Sequence, residues 1–111
     1  MPTFVLIFRQ PGGPLADADI LRRSQETRPW AQRLNAAGHK LAPHILAAEG
    51  QWIGPAGSNG APPAEGGPLT ALLFLEARDL EEAVQLARSH PGVRYGASVE
   101  VRPWAPPAAQ S

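Results

Sequence analysis

The second half of the chain carries the clearest pattern of apolar and polar positions. Residues 69–77 form an almost entirely apolar run between a Gly/Pro-rich segment and the polar pair Arg78-Asp79, and this pattern predicts a buried strand. The apolar residues that follow recur at helical spacing and form one stripe: Leu80, Ala83, Val84 and Ala87. Residues 98–103 then alternate as a second strand. The segment therefore predicts one strand, helix, strand unit.

Both ends of this helix are marked in the sequence. Asp79 is the expected N-cap, because its carboxylate can accept free amide hydrogens of the first turn. Glu82 stands three residues later, as in a capping box. Pro91 disfavours the helical conformation in the residue before it, so the helix is expected to end near His90.

The first half carries a weaker pattern of the same kind. Residues 4–8 are a continuous run of bulky apolar side chains and predict a central strand. Residues 16–23 predict a short helical turn. A separate helix is expected to start near Thr27, with Pro29 in its first turn, and to end at Gly38.

The middle of the chain predicts less regular structure. Residues 39–47 alternate as a strand that Pro43 confines to a sheet edge. Trp52-Ile53 is expected to be a short return strand. Residues 54–68 are rich in Gly, Pro and Ala, and predict a long loop that could act as a lid.

The predicted order of elements is strand, helix, strand, strand, helix, strand. This order favours an α+β, ferredoxin-like βαββαβ domain, with an antiparallel sheet and two helices on one face. The domain is expected to span residues 1–104, followed by a flexible tail over residues 105–111. The second sheet face would stay exposed, so we expect a homodimer of the dimeric α/β-barrel type, with Trp52 and Trp104 supporting that contact.

Composition narrows the possible functions. The formal net charge is zero, which argues against a nucleic-acid partner and against electrostatic attachment to a membrane. The absence of cysteine excludes disulfides, thiolate zinc sites and cysteine nucleophiles. The N-terminus shows no charged leader or long apolar run, so a cytoplasmic location is expected. Gly66-Gly67-Pro68 has no P-loop lysine, and no cofactor is expected.

Four segments of the second half carry a family resemblance: residues 72–77, 79–83, 90–91 and 99–103. They correspond to an apolar strand, an acid-capped helix, a His-Pro helix end and a final Val-Glu-Val-Arg-Pro strand. In these features the chain resembles the YCII-related (YciI-like) family, in the branch that carries a DGPF motif followed by a Lys-Glu stretch.

The chain departs from that family at the motif positions. Without a gap, the DGPF motif falls on Asn59-Gly60-Ala61-Pro62, and the Lys-Glu pair falls on Gly66-Gly67. The resemblance also implies a His near the start of the first helix, where this chain has Thr27-Arg28-Pro29-Trp30. Asn59 cannot act as a general base, because an amide does not titrate in the accessible range. A carboxylate-dependent activity would therefore be lost or relocated here.

His90 is the candidate catalytic residue. At the C-terminal end of a helix its charged form would be favoured, so it could donate a proton or hold an anion; the alternative is a helix-capping role. The candidate ligand-binding residues are His44, Asn59, Trp30 and Trp52. No metal site is expected, since His39 and His44 should point to opposite faces of their strand.

Two hypotheses follow from these residues. The first is a dimer that binds a small organic molecule between sheet and helices, with proton-transfer or lyase-type chemistry at His90. The alternative is a non-catalytic interaction or regulatory module. An enclosed pocket would favour the first hypothesis, and an exposed apolar patch would favour the second.

Overall fold

The computed structural model describes residues 1–57, 59–60 and 66–105, without the side chains of residues 56, 59 and 60. Almost all of the predicted tail lies outside these residues. The elements in chain order are β1 (Thr3–Arg9), α1 (Asp17–Ala36), β2 (Leu41–Ile45), β3 (Trp52–Ile53), a 3₁₀ helix (Pro55–Gly57), β4 (Asn59–Gly60), β5 (Leu69–Glu76), α2 (Leu80–Arg88), a second 3₁₀ helix (Pro91–Tyr95) and β6 (Ser98–Pro103).

Four strands form the main sheet, in the order β2-β5-β1-β6. Each neighbouring pair is antiparallel. With two helices added to this sheet, the chain is an α+β protein compatible with the predicted ferredoxin-like fold. Pro43 lies in β2 at one edge of the sheet, as its missing amide hydrogen predicts.

Both helices cover the same face of the sheet. Alternate residues of β1, namely Phe4, Leu6 and Phe8, are buried in one core cluster. Their cross-strand partners on β5 include Leu75 and Leu73. The helices add Trp30, Leu34, Ala83 and Ala87 to this cluster. The strands' period of two therefore selects one set of side chains for the core and turns the other set away.

The opposite face of the sheet carries no helix from the described part of the chain. On it lie the intervening residues of β1 and β5, of which Val5 is buried and Ile7, Leu72 and Phe74 are half-buried. The ring of Trp104 packs edge-on against Phe74, with 5.0 Å between centroids. We call these five residues the open sheet face.

The first helix differs from the sequence prediction. Instead of a short turn and a separate helix from Thr27, α1 runs without a break from Asp17 to Ala36, with Pro29 inside it. The residue before it, Ala16, makes no side-chain cap bond, so the sequence carried no start signal. Pro29 is exposed, and the buried Trp30 and Leu34 hold the helix against the sheet despite the lost hydrogen bond.

The end of α1 confirms the role predicted for Gly38. Its φ of 94° is left-handed, a conformation that glycine adopts without steric cost. The amide of Gly38 donates to Asn35 O, and that of His39 donates to Leu34 O. This Schellman arrangement satisfies carbonyls that the last helical turn would leave free.

The region after β2 also differs from the prediction. Trp52-Ile53 is a strand, but it pairs with β4 in a separate two-stranded sheet. The segment predicted to be one long loop, residues 54–68, contains β4 and the Pro55–Gly57 3₁₀ helix. Ser58 and residues 61–65 lie outside the described residues.

The start of α2 confirms its predicted cap. The Asp79 carboxylate accepts a 2.8 Å hydrogen bond from the amide of Glu82. Glu82 in turn accepts from the amide of Arg78, at 2.7 Å, one residue before the position it reaches in a standard capping box. Hydrogen bonds from the Glu82 amide and the Arg78 side chain lower the pKa of Asp79.

Candidate functional site

His90 lies between α2 and β6, where it caps the Pro91–Tyr95 3₁₀ helix rather than the end of α2. Its Nδ1 accepts a 2.9 Å hydrogen bond from the amide of Gly92. The ring packs between Phe8 and Trp30, with 4.7 Å between centroids in each case. Because Nδ1 is an acceptor, the proton of the neutral ring is on Nε2.

The charge predicted for His90 is wrong. Burial, with a smaller contribution from the positive charge of Arg23, lowers the pKa of His90 to about 4. The helix dipole was expected to favour the protonated form, but burial of the ring among aromatic side chains costs more. The imidazole is therefore neutral at pH 7, and almost none of it carries the extra proton that a general acid would donate.

Trp30, predicted as a ligand-binding residue, lies beside His90 as part of the core. Its indole nitrogen donates a 2.8 Å hydrogen bond to Ser89 Oγ, and Ser89 donates to Leu86 O at 2.6 Å. Only 1% of Trp30 is exposed. The side chain thus fastens α1 to the end of α2, and little of its surface is left for a ligand.

His44 does not meet His90. The strand register places His44 opposite Leu72, on the open sheet face, whereas His90 contacts Phe8 on the helical side. The His44 ring lies 5.5 Å from that of Phe74. The two histidines are separated by the sheet, so they cannot share one ligand.

The two other predicted ligand-binding residues lie in the β3-β4 hairpin. Trp52 and Asn59 belong to its paired strands, and the backbone of Asn59 is opposite Ile53. Trp52 is exposed. The side chain of Asn59 lies outside the described residues.

The other histidine, His39, was predicted to lie on the same strand as His44, but it precedes β2 and takes a structural position. His39 is buried directly before β2, where its Nδ1 lies 2.9 Å from Glu76 O and 4.0 Å from a Glu82 oxygen. Among the residues that the structure describes, no three His, Cys, Asp or Glu side chains are placed to hold a metal ion.

A polar cluster between α1 and the Pro91–Tyr95 3₁₀ helix was missed by the sequence analysis. Glu26 accepts hydrogen bonds from the Tyr95 hydroxyl at 2.5 Å and from Arg94 at 3.0 Å. These bonds, that of Tyr95 first, lower the pKa of Glu26, while the same contact raises the pKa of Tyr95. Glu26 lies one turn before Trp30, so a continuous helix would have placed this carboxylate on the inward row.

An open groove of about 490 Å³ lies between α2, the Pro91–Tyr95 3₁₀ helix and β6. Its apolar lining residues are Val84, Ala87, Val93, Ala97, Val99 and Val101. Arg88 adds the charged group. We call this site the α2–β6 groove. A second hollow of about 300 Å³ on α1 is lined by Ser24, Gln25 and Arg28.

Of the two positions matched to the family's Lys-Glu pair, the second, Gly67, has no room for a side chain. Gly66 and Gly67 both have positive φ values, of 76° and 78°. A Cβ on Gly67 would lie 2.6 Å from Pro11 Cα and 2.8 Å from Gln10 O. Glycine is therefore required here by geometry, and this backbone cannot present a glutamate at residue 67.

Comparison with known proteins adds no assignment: no family model matches the chain, and neither does any curated protein. Within the described part of the chain, no helix combines the length and the apolar character needed to cross a membrane.

Proposed function

We propose that this protein binds a small, largely apolar molecule in the α2–β6 groove and does so without catalysis. One observation carries the proposal: a volume of about 490 Å³ bordered by six apolar residues and one cation. The groove is open rather than enclosed, but its volume, mostly apolar walls and few polar groups match those of ligand sites in proteins. That the chain is a member of the YCII-related family is likewise a proposal, which rests on the resemblance in its second half.

The state of His90 supports binding over proton transfer. With a pKa of about 4, the imidazole is a weak base, and at pH 7 almost none of it is in the protonated form that could act as an acid. Its Nδ1 is already engaged with the amide of Gly92. His90 also does not line the α2–β6 groove, so a molecule bound there would have no titrating histidine within the wall.

A fluorescence titration tests the proposal. N-phenyl-1-naphthylamine is neutral and apolar, and its emission rises on leaving water. We expect saturable binding to the wild type. In Ala97→Leu the added side chain occupies the groove, so affinity should fall roughly tenfold, or ~1.4 kcal/mol.

Ala18→Leu is the matched control, because Ala18 is exposed on α1 and lies outside the groove. It should bind the probe as the wild type does. The proposal fails if the wild type shows no saturable binding, or if Ala97→Leu binds with unchanged affinity while both variants remain folded.

The open sheet face favours a second candidate, self-association into a homodimer. Trp104 is 55% exposed there, beside the apolar surface of Phe74 and Leu72. Packing two such faces together would remove this surface from water and produce the dimeric α/β barrel. The groove-lining Val99 and Val101 pair with Phe8 and Leu6 on the helical side, so a dimer would leave the groove open.

A further inference from the structure

The charged group of the α2–β6 groove, Arg88, has no partner among the described residues. Arg88 stands in the last turn of α2, and one turn earlier the chain has Val84 and Gln85, neither of which is an acid. Within the described residues the Arg88 guanidinium makes no ion pair and no hydrogen bond.

Two arginines close to α2 differ from Arg88 in being paired. Arg78 contacts Asp79 at 3.3 Å, and Arg94 contacts Glu26 at 3.0 Å. Arg88 thus brings to the groove a positive charge that no carboxylate of the described chain neutralises. The six other lining residues are apolar, so the polarity of this site depends on one cation.

From this arrangement we infer that the ligand of the groove is an amphipathic organic anion. Its apolar body lies against the valines of α2 and β6, and its carboxylate, sulfonate or phosphate pairs with Arg88. The inference rests on the proposed function, because it assigns a ligand class to the same groove. A guanidinium forms charge-assisted hydrogen bonds with such oxyanions, and these are stronger than neutral ones.

Two probes that differ in one group test the inference. 1-Anilinonaphthalene-8-sulfonate has the ring system of N-phenyl-1-naphthylamine with an added sulfonate. We expect the wild type to bind the sulfonate roughly tenfold more tightly than the neutral probe. Arg88→Gln should remove this preference and leave the affinity for the neutral probe unchanged.

Arg33→Gln is the matched control, since Arg33 lies in the last turn of α1 and does not line the groove. It should keep the preference. Equal affinity of the wild type for both probes would overturn the inference and leave the proposed function standing. A preference that survives in Arg88→Gln would also overturn it. Binding of neither probe would overturn the inference and the proposed function together.

Discussion

At Gly67 the chain passes so close to the backbone of Gln10 and Pro11 that a single added Cβ would clash with it. Gly67→Ala would place a Cβ 2.6 Å from Pro11 Cα and force a side chain into a φ of 78°. We expect a loss of roughly 2–5 kcal/mol in the free energy of unfolding, from left-handed strain and overpacking. Urea denaturation measures it.

Gly38→Ala separates the two causes of that loss. Gly38 has a φ of 94°, but a Cβ there would meet nothing within 4 Å. This variant should lose only about 1–2 kcal/mol, the cost of the left-handed backbone. Equal losses for the two variants would show that the close contact at Gly67 has no energetic weight.

His90 gives the second prediction at this scale, because its pKa is about 4 in the folded protein and near 6.5 when unfolded. Between these values the unfolded chain binds a proton that the native state does not. Stability should therefore be complete above pH 6.5 and fall by up to about 3 kcal/mol as the pH drops towards 4. Denaturation at a series of pH values measures this slope.

His90→Asn is the control, since asparagine can still accept from the amide of Gly92 but does not titrate. Its stability should be lower at pH 7 and nearly flat between pH 6.5 and 4.5. The pKa values of Glu26 and Asp79 are lowered from 4.5 and 3.8, so these groups change the stability only at pH values below that range. If the stability of His90→Asn fell with pH as steeply as that of the wild type, the titration of His90 would not be the cause of the loss.

Among the elements, α1 is where the structure and the sequence pattern disagree most. If Pro29 is in the interior of one helix, Pro29→Ala restores a hydrogen bond to the carbonyl one turn earlier. We expect a gain of roughly 1–2 kcal/mol, after the greater freedom of the unfolded alanine chain is subtracted. Thermal or urea denaturation of the variant measures the gain.

Gln32→Ala provides the baseline, because it changes an exposed helical position without restoring any bond. It should alter stability by less than about 0.5 kcal/mol. If Pro29 instead occupied the first turn of a separate helix, its replacement would bring no gain. A neutral or destabilising Pro29→Ala would therefore contradict the continuous α1.

The elements that the sequence predicted well are those with local signals at both ends. Asp79 and Glu82 mark the start of α2, and Gly38 marks the end of α1, through hydrogen bonds between near neighbours in the chain. The start of α1 has no such signal, because Ala16 offers no side-chain acceptor. Its continuity depends on the burial of Trp30 and Leu34, a tertiary effect that overrides a proline.

Sequence patterns could not assemble the candidate site for a related reason. The groove is lined by small apolar residues of α2, the Pro91–Tyr95 helix and β6, which resemble ordinary core positions. Residue type instead indicated polar side chains such as His44 and His90. The register of β2 and β5 puts His44 on the open face of the sheet, and His90 contacts Phe8 on the other face. Which face a residue occupies follows from strand pairing between distant segments.

For the whole molecule, the open sheet face predicts association. The chain mass is 11.8 kDa, and light scattering should show a particle of twice that mass. Trp104→Glu places a charge on the open face and should give the monomer. The matched control is Leu21→Glu on α1, since Leu21 and Trp104 are 59% and 55% exposed. A monomeric wild type, or a dimeric Trp104→Glu, would contradict the homodimer.

Amide chemical shifts test residue by residue whether the α2–β6 groove binds the ligand. In a ¹⁵N-labelled sample titrated with 1-anilinonaphthalene-8-sulfonate, we expect saturable shifts at Val84, Val93 and Val99, around the groove. Shifts confined to Leu72 and Phe74 on the open sheet face would place the ligand on the other side of the sheet and contradict binding in the groove.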